Sequence, residues 1–212
     1  AVAARSGCGH RTDTQDGPRG ADDAIESRGD DLIAVAVDPA KDVFDDPPLV
    51  TLRKWVAADE ALRGAANASK TLLAGFTTVR NVGAGGFADK SLMKAIDAGL
   101  IQGPRIIPAG HAIGITGGHC DATGWAPGVL ELGPEEGVAD GVDEVVAAAR
   151  YQIKHGAKVI KVCATAGVFS YDATLGAQQL SDAELRAVVE EASRHGLKVA
   201  AHAHGTEGIK AA

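Results

Sequence analysis

Residues 156–204 read GAKVIKVCATAGVFSYDATLGAQQLSDAELRAVVEEASRHGLKVAAHAH. Gly156 ends whatever precedes it, and Lys158 to Ala164 is a short β-branched run of strand character. Ser181-Asp-Ala-Glu184 is a capping box, in which the serine and glutamate side chains satisfy each other's free backbone donors and so mark a helix start. That helix runs to His195, Gly196 stops it, and Leu197 to His204 is again strand-like. A strand, a helical crossover and a second strand put the two strands parallel, joined in the right-handed sense.

The same alternation extends upstream. Residues from about Ala57 to Ala74 carry apolar side chains near a 3.6 period, and Gly75 closes that helix before the strand Phe76 to Val79. Ser91 to Leu100 is the next helix. The Gly103-Pro104 turn leads to the strand Arg105 to Pro108, Gly110 to Gly137 reads as a long glycine-rich loop, and Val142 to His155 is helical up to Gly156. Four βα units in succession predict an α/β protein with a parallel sheet. A complete eight-unit barrel takes about 250 residues and about 160 follow residue 50, so the expectation is a partial TIM-like (β/α) barrel whose last strand leaves an edge for a partner or further chain to close. A small doubly wound sheet is the alternative.

Composition agrees. The 212 residues are 45% hydrophobic but only 4% aromatic, with 27 glycines, so Ala, Val, Ile and Leu must build the core around many tight turns. A formal charge of −7 argues against a broad nucleic-acid surface or a polybasic membrane patch and leaves small-molecule partners. Apolar runs fall short of the roughly 20 residues that span a bilayer, and the start AVAARSGCGHRTDTQDGPRG lacks the apolar stretch of a signal peptide, so a cytoplasmic protein is expected. The first thirty residues show no period. Asp31 to Val37 is a plausible strand and Asp45-Asp46-Pro47-Pro48 breaks the chain, which gives a poorly ordered segment over 1–50 and the β/α unit over 51–212.

In parallel β/α folds the reacting groups sit at the carboxyl ends of strands. The two-residue period sets Val159, Lys161 and Cys163 on one strand face. A lysine among valines needs a carboxylate partner, or conversion to something other than an ammonium, such as the carbamate formed with carbon dioxide; the spacing leaves both open. His202 and His204 share a face at the end of the following strand. Neutral imidazoles there suit zinc and similar ions, and neighbouring parallel strands lie about 5 Å apart, the separation of two ligands of one centre. The loop Thr116-Gly-Gly-His119-Cys-Asp121 offers His119, with a Cys120 nucleophile as a weaker alternative. Cys8, Cys120 and Cys163 are scattered and read as free thiols. His111 and Trp125 read as turn and loop residues, and His155 and His195 as cations at helix ends.

Five stretches then fall in one family's order: KTLLAGFTTVRNVGA at 70–84, GPRIIPAG at 103–110, ITGGHCD at 115–121, VIKVCATAGV at 159–168 and LKVAAHAHGTEGIKAA at 197–212. Together they resemble the amidohydrolase superfamily, in its Xaa-Pro dipeptidase-like branch of metal-dependent barrels. The resemblance implies that Lys161 is carbamylated and bridges two divalent metal ions, usually zinc, that His202 is a ligand of one of them, and that His204 and His119 hold the substrate. GDDLIAVAV at 29–37 resembles a strand of the small β-sandwich that precedes such barrels, so 1–50 would keep a remnant of it. The family's His-x-His strand has no counterpart, since His10 is the only histidine upstream of the second strand, and the catalytic aspartate is expected beyond Ala212.

The implied activity is metal-dependent hydrolysis of an amide or peptide C–N bond, dipeptidase-like, with hydroxide delivered from the metal centre. Hydrolysis of cyclic or aryl amides is an alternative within the superfamily. A catalytically incomplete remnant, or a subunit completed by another chain, is the alternative outside it, and homo-oligomerisation stays open.

Overall fold

A computed structural model describes residues 57–167 and 174–212. The expectations for 1–50, including the strand at Asp31–Val37, the sandwich remnant and the boundary near residue 50, lie outside the described residues.

The first helix, α1, spans Ala57–Leu73, with Asp59 and Glu60 in its first turn and Lys70 in its last, as the helix dipole favours. Gly75, at φ +101°, turns the chain into β1, Thr78–Asn81. Helix α2 spans Ala88–Asp97 and starts three residues before the Ser91 expected from periodicity. The reason is tertiary: the buried Asp89 carboxylate accepts from the Lys90 amide at 2.7 Å and from Gly110 at 2.9 Å, tying the helix start to the chain leaving the second strand. That strand, β2, is Arg105–Pro108, as read from the sequence. Helix α3 follows at Val142–Lys154, β3 at Ile160–Cys163, α4 at Asp182–Arg194, β4 at Val199–His202 and α5 at Thr206–Ala211. The capping box at Ser181 and Glu184 forms as expected.

β1 pairs with β2, and β3 with β4, both parallel. The two pairs are joined by the segment expected to be loop. The Lys158 amide donates to the Pro108 carbonyl, Ile113 forms a parallel bridge with Val162, and Gly114 bridges Val138. The first residues of the 110–137 segment therefore link the two parallel pairs, β1-β2 and β3-β4, through isolated parallel bridges. Glycines 110 and 114, which discourage a strand reading, are required there: a Cβ at Gly114 would sit 2.9 Å from the Cβ of Cys120.

Helices α3 and α4 cover the outer face of β3. Ile160, Val162, Val145, Ala149, Leu185 and Val188 form the main core, and Val79, Leu92 and Ile106 a smaller one under α2. A charged clamp pins α3 to α4: Glu191, almost fully buried, accepts two hydrogen bonds from Arg150 at 2.7 and 3.1 Å and one from Arg194 at 2.9 Å. Among the described residues no helix is long and apolar enough to cross a membrane.

Candidate active site

The register of β3 on β4 places Lys161 opposite Ala200 and Cys163 opposite His202. Ile160 and Val162 point into the helix-covered core, so alternation turns Lys161 and Cys163 to the other face, and the register carries His202 to that same face. Among the described residues no carboxylate pairs with Lys161. Burial alone pulls its amine down from the ordinary lysine range to about 8.

His202 closes β4 with its Nε2 buried and, among the described residues, without a hydrogen-bond partner. Its pKa is lowered to about 4, first by burial and then by the charges of His119, Lys161 and His204; a hydrogen bond to the backbone of Ala166 acts in the opposite sense. The ring is thus held neutral, anchored from one side and free at Nε2, which is how a protein presents an imidazole lone pair. His119 lies against it with ring centroids 4.1 Å apart, and His204 follows at 4.7 Å, edge-on. The four residues singled out from sequence, Lys161, His202, His119 and His204, therefore stand in one cluster.

The loop that brings His119 in is fastened at both ends. Thr116 donates its amide and hydroxyl to Asp140 at 3.0 and 2.7 Å, and the Gly117 amide donates to Asp121 at 2.7 Å. Gly167 lies under the His119 ring, where any Cβ would overlap the imidazole. The cysteines correct the free-thiol expectation: Cys120 and Cys163, with Cα atoms 6.0 Å apart, form a disulfide. Their separation of 43 residues hid the pairing, which exists only because the His119 loop folds over the end of β3. With its sulfur in a disulfide, Cys120 is not a nucleophile.

Two further residues carried no signal in the sequence. The Gln179 side-chain oxygen accepts the His119 amide at 3.0 Å, and the Thr165 hydroxyl accepts the His204 amide at 2.8 Å. The other described histidines lie elsewhere. His111 and His155 pack on Phe87, with centroids at 4.7 and 4.6 Å, and His195 lies 3.3 Å from Glu191.

The donor chemistry suits a divalent metal in part. An orphaned imidazole nitrogen and a desolvated amine on one face are ligand-like, yet among the described residues no group of three or more His, Cys, Asp or Glu is arranged to hold an ion, and a catalytic zinc commonly has three protein ligands. Lys161 and His202 make part of a metal site and do not complete one.

Parallel β/α pairs with polar residues gathered at the carboxyl ends of β3 and β4 place those residues where β/α enzymes carry their reacting groups. The amidohydrolase family model matches residues 31–212, and the chain belongs to that family. It is 38% identical over 168 residues to the ochratoxinase of Aspergillus niger, covering 73% of this chain and 34% of that protein. Among solved structures it resembles a Xaa-Pro dipeptidase with methionine bound in its active site, at 42% identity and TM-score 0.72 over 74% of this chain and 39% of that one. A prolidase complexed with N-methylphosphonate-L-proline follows at 37% identity and TM-score 0.64, over 71% and 38% of the two chains. The chain spans about a third of the length of the curated relatives it matches.

Proposed function

We propose that this protein serves metal-dependent hydrolysis of an amide C–N bond in a dipeptide-sized substrate, with Lys161 and His202 as metal ligands and His119 and His204 as substrate-binding residues. The observation that carries this reading is the placement of Lys161 and an unpartnered His202 nitrogen on one face of adjacent parallel strands, with the two other imidazoles beside them. Two divalent ions, zinc in the usual family case, would lower the pKa of bound water toward about 7 and polarise the scissile carbonyl. The chain's own residues prepare for this. Burial keeps the Lys161 amine near 8, which leaves neutral amine available for carbamylation, and among the described residues no carboxylate competes for it. His202 stays neutral and able to donate its lone pair. His119 and His204 would hydrogen-bond the substrate's carbonyl or carboxylate. A relative that holds methionine in its active site favours an amino-acid-sized ligand over a cyclic or aryl amide.

The acidic balance of −7 favours a small-molecule partner over nucleic acid. The disulfide weighs against a cytoplasmic location, because such bonds persist mainly in oxidising compartments. A second reading, a subunit completed by another chain, is favoured by a groove of about 590 Å³ between α4, β4 and the end of α5, in which apolar Leu185, Val189 and Val199 alternate with charged Arg186, Lys198 and Lys210. Metal analysis separates the two. Where further ligands complete the site, the enzyme reading expects close to two divalent ions per chain and turnover of Ala-Pro, both lost in Lys161→Ala. Absence of metal with association into a larger species supports the subunit reading, and unchanged turnover in Lys161→Ala removes Lys161 from the site.

A further inference from the structure

The chain after β3 doubles back on itself. The Ala166 amide donates to the Ala177 carbonyl at 2.8 Å, the Gln179 amide donates to the Ala164 carbonyl at 2.8 Å, and Thr165 bridges Gln178 in antiparallel fashion. This return segment touches both histidine-bearing loops. On one side the Gln179 oxygen receives the His119 amide and lies 3.0 Å from where a Cβ on Gly118 would stand, so the loop approaches it as bare backbone. On the other side Gly176 meets Gly205 backbone to backbone, immediately after His204. The fully buried Thr165 takes the His204 amide, and its methyl fills the space that a side chain at Gly208 would need. The contacts of Gln179, of Gly176 and of the Thr165 hydroxyl join segments distant in sequence, and each ends on the backbone of a histidine of the cluster or of its neighbour.

We propose that Gln179 is a positioning residue for His119, and that the return segment Gly176–Gln179, with Thr165, sets the spacing of His119 and His204 on either side of His202. The substrate-binding roles of the two histidines rest on the function proposed above; the positioning itself does not. A hydrogen bond from a backbone amide to a neutral side-chain acceptor fixes where the loop starts, and a ring carried on that loop inherits the precision. A displacement on the order of 1 Å at a substrate-orienting group costs up to about a hundredfold in rate.

The test compares Gln179→Leu, which removes the acceptor, with Gln179→Glu, which keeps an oxygen there, in the full chain labelled with 15N-histidine. With seven histidines the amide spectrum is sparse, and the His119 peak is assigned by its loss in His119→Asn. The expected result is a shift of the His119 amide in Gln179→Leu with the peaks of His111, His155 and His195 unmoved, and near-native position in Gln179→Glu. Against Ala-Pro, the leucine variant should raise KM about tenfold or more with a smaller change in kcat, and the glutamate variant should recover most of it. An unmoved His119 amide in Gln179→Leu overturns the positioning role whatever the kinetics. If the amide shifts and is rescued while the wild-type chain leaves Ala-Pro intact, the positioning stands and the assigned activity fails. Thr165→Val and Thr165→Ser supply the same comparison for the His204 amide if Gln179→Leu does not fold.

Discussion

The rings of His119 and His202 lie 4.1 Å apart although one is carried by a loop and the other ends a strand. Strand geometry places His202. His119 arrives only because the loop is fastened to Asp140, to Gln179 and, through Cys120, to the end of β3.

Gly167→Ala should drive these rings apart. The new Cβ would overlap the His119 imidazole, and β3 cannot retreat because Val162 and Ala164 are fully buried. The expected outcome is a displaced His119 resonance, with the far-ultraviolet circular dichroism unchanged. An unperturbed His119 would show that the loop yields instead.

Breaking the Cys120–Cys163 bridge should destabilise the fold. Closing a loop of 43 residues in the unfolded chain is worth up to about 4 kcal/mol in the chain-entropy model, and measured values usually fall between about 2 and 4. Cys163→Ala, or reduction of the wild type, should therefore lower the denaturant midpoint, with the m-value rising as the released unfolded chain expands, as read by urea titration under oxidising and reducing conditions. Identical midpoints under both conditions would show that the bridge does not form in solution.

The Glu191 clamp predicts acid sensitivity. The hydrogen bond from Arg150, against the opposing effect of burial and with further help from His195 and Arg194, holds the Glu191 carboxyl down at about 2 from an ordinary 4.5. The folded pKa is depressed, so this contribution is complete above the unfolded value and is lost as pH falls from about 4.5 through about 2. Glu191→Gln should flatten the fall of the melting temperature across that window. A wild-type acid profile in the variant would remove Glu191 as its source.

Ile160→Ala should cost about 3 kcal/mol, within the range of about 2 to 5 found for such truncations, because Ile160 is fully buried between β3 and the helices α3 and α4. Equilibrium denaturation measures it. Arg105→Ala on β2, whose side chain is exposed, should change stability by less than about 0.5 kcal/mol.

Local chemistry made most of the elements legible. Glycines at positive φ, Gly75, Gly156 and Gly196 among them, end the segments where the reading placed their ends, and the capping box at Ser181 marked the start of α4 to the residue. The boundaries that moved are those where a distant group decides. Helix α2 begins early because Asp89 answers the Gly110 amide, and the chain that turns at Gly110 returns to the strands because Val162 lies beside Ile113.

The sequence by itself determined the alternation of helix and strand, the facing of Lys161 away from Ile160 and Val162, and the identity of the four polar residues at the strand ends and loop. The alternation and the facing follow from periodicities of two and 3.6 that each segment carries internally, whereas the roles of the four polar residues are what the amidohydrolase resemblance implies. Tertiary structure alone decided that Cys120 meets Cys163, that Gln179 receives the His119 amide, and that Lys161 has no carboxylate beside it among the described residues. Such facts concern pairs of residues far apart in the chain, and no local preference of either partner encodes the distance between them.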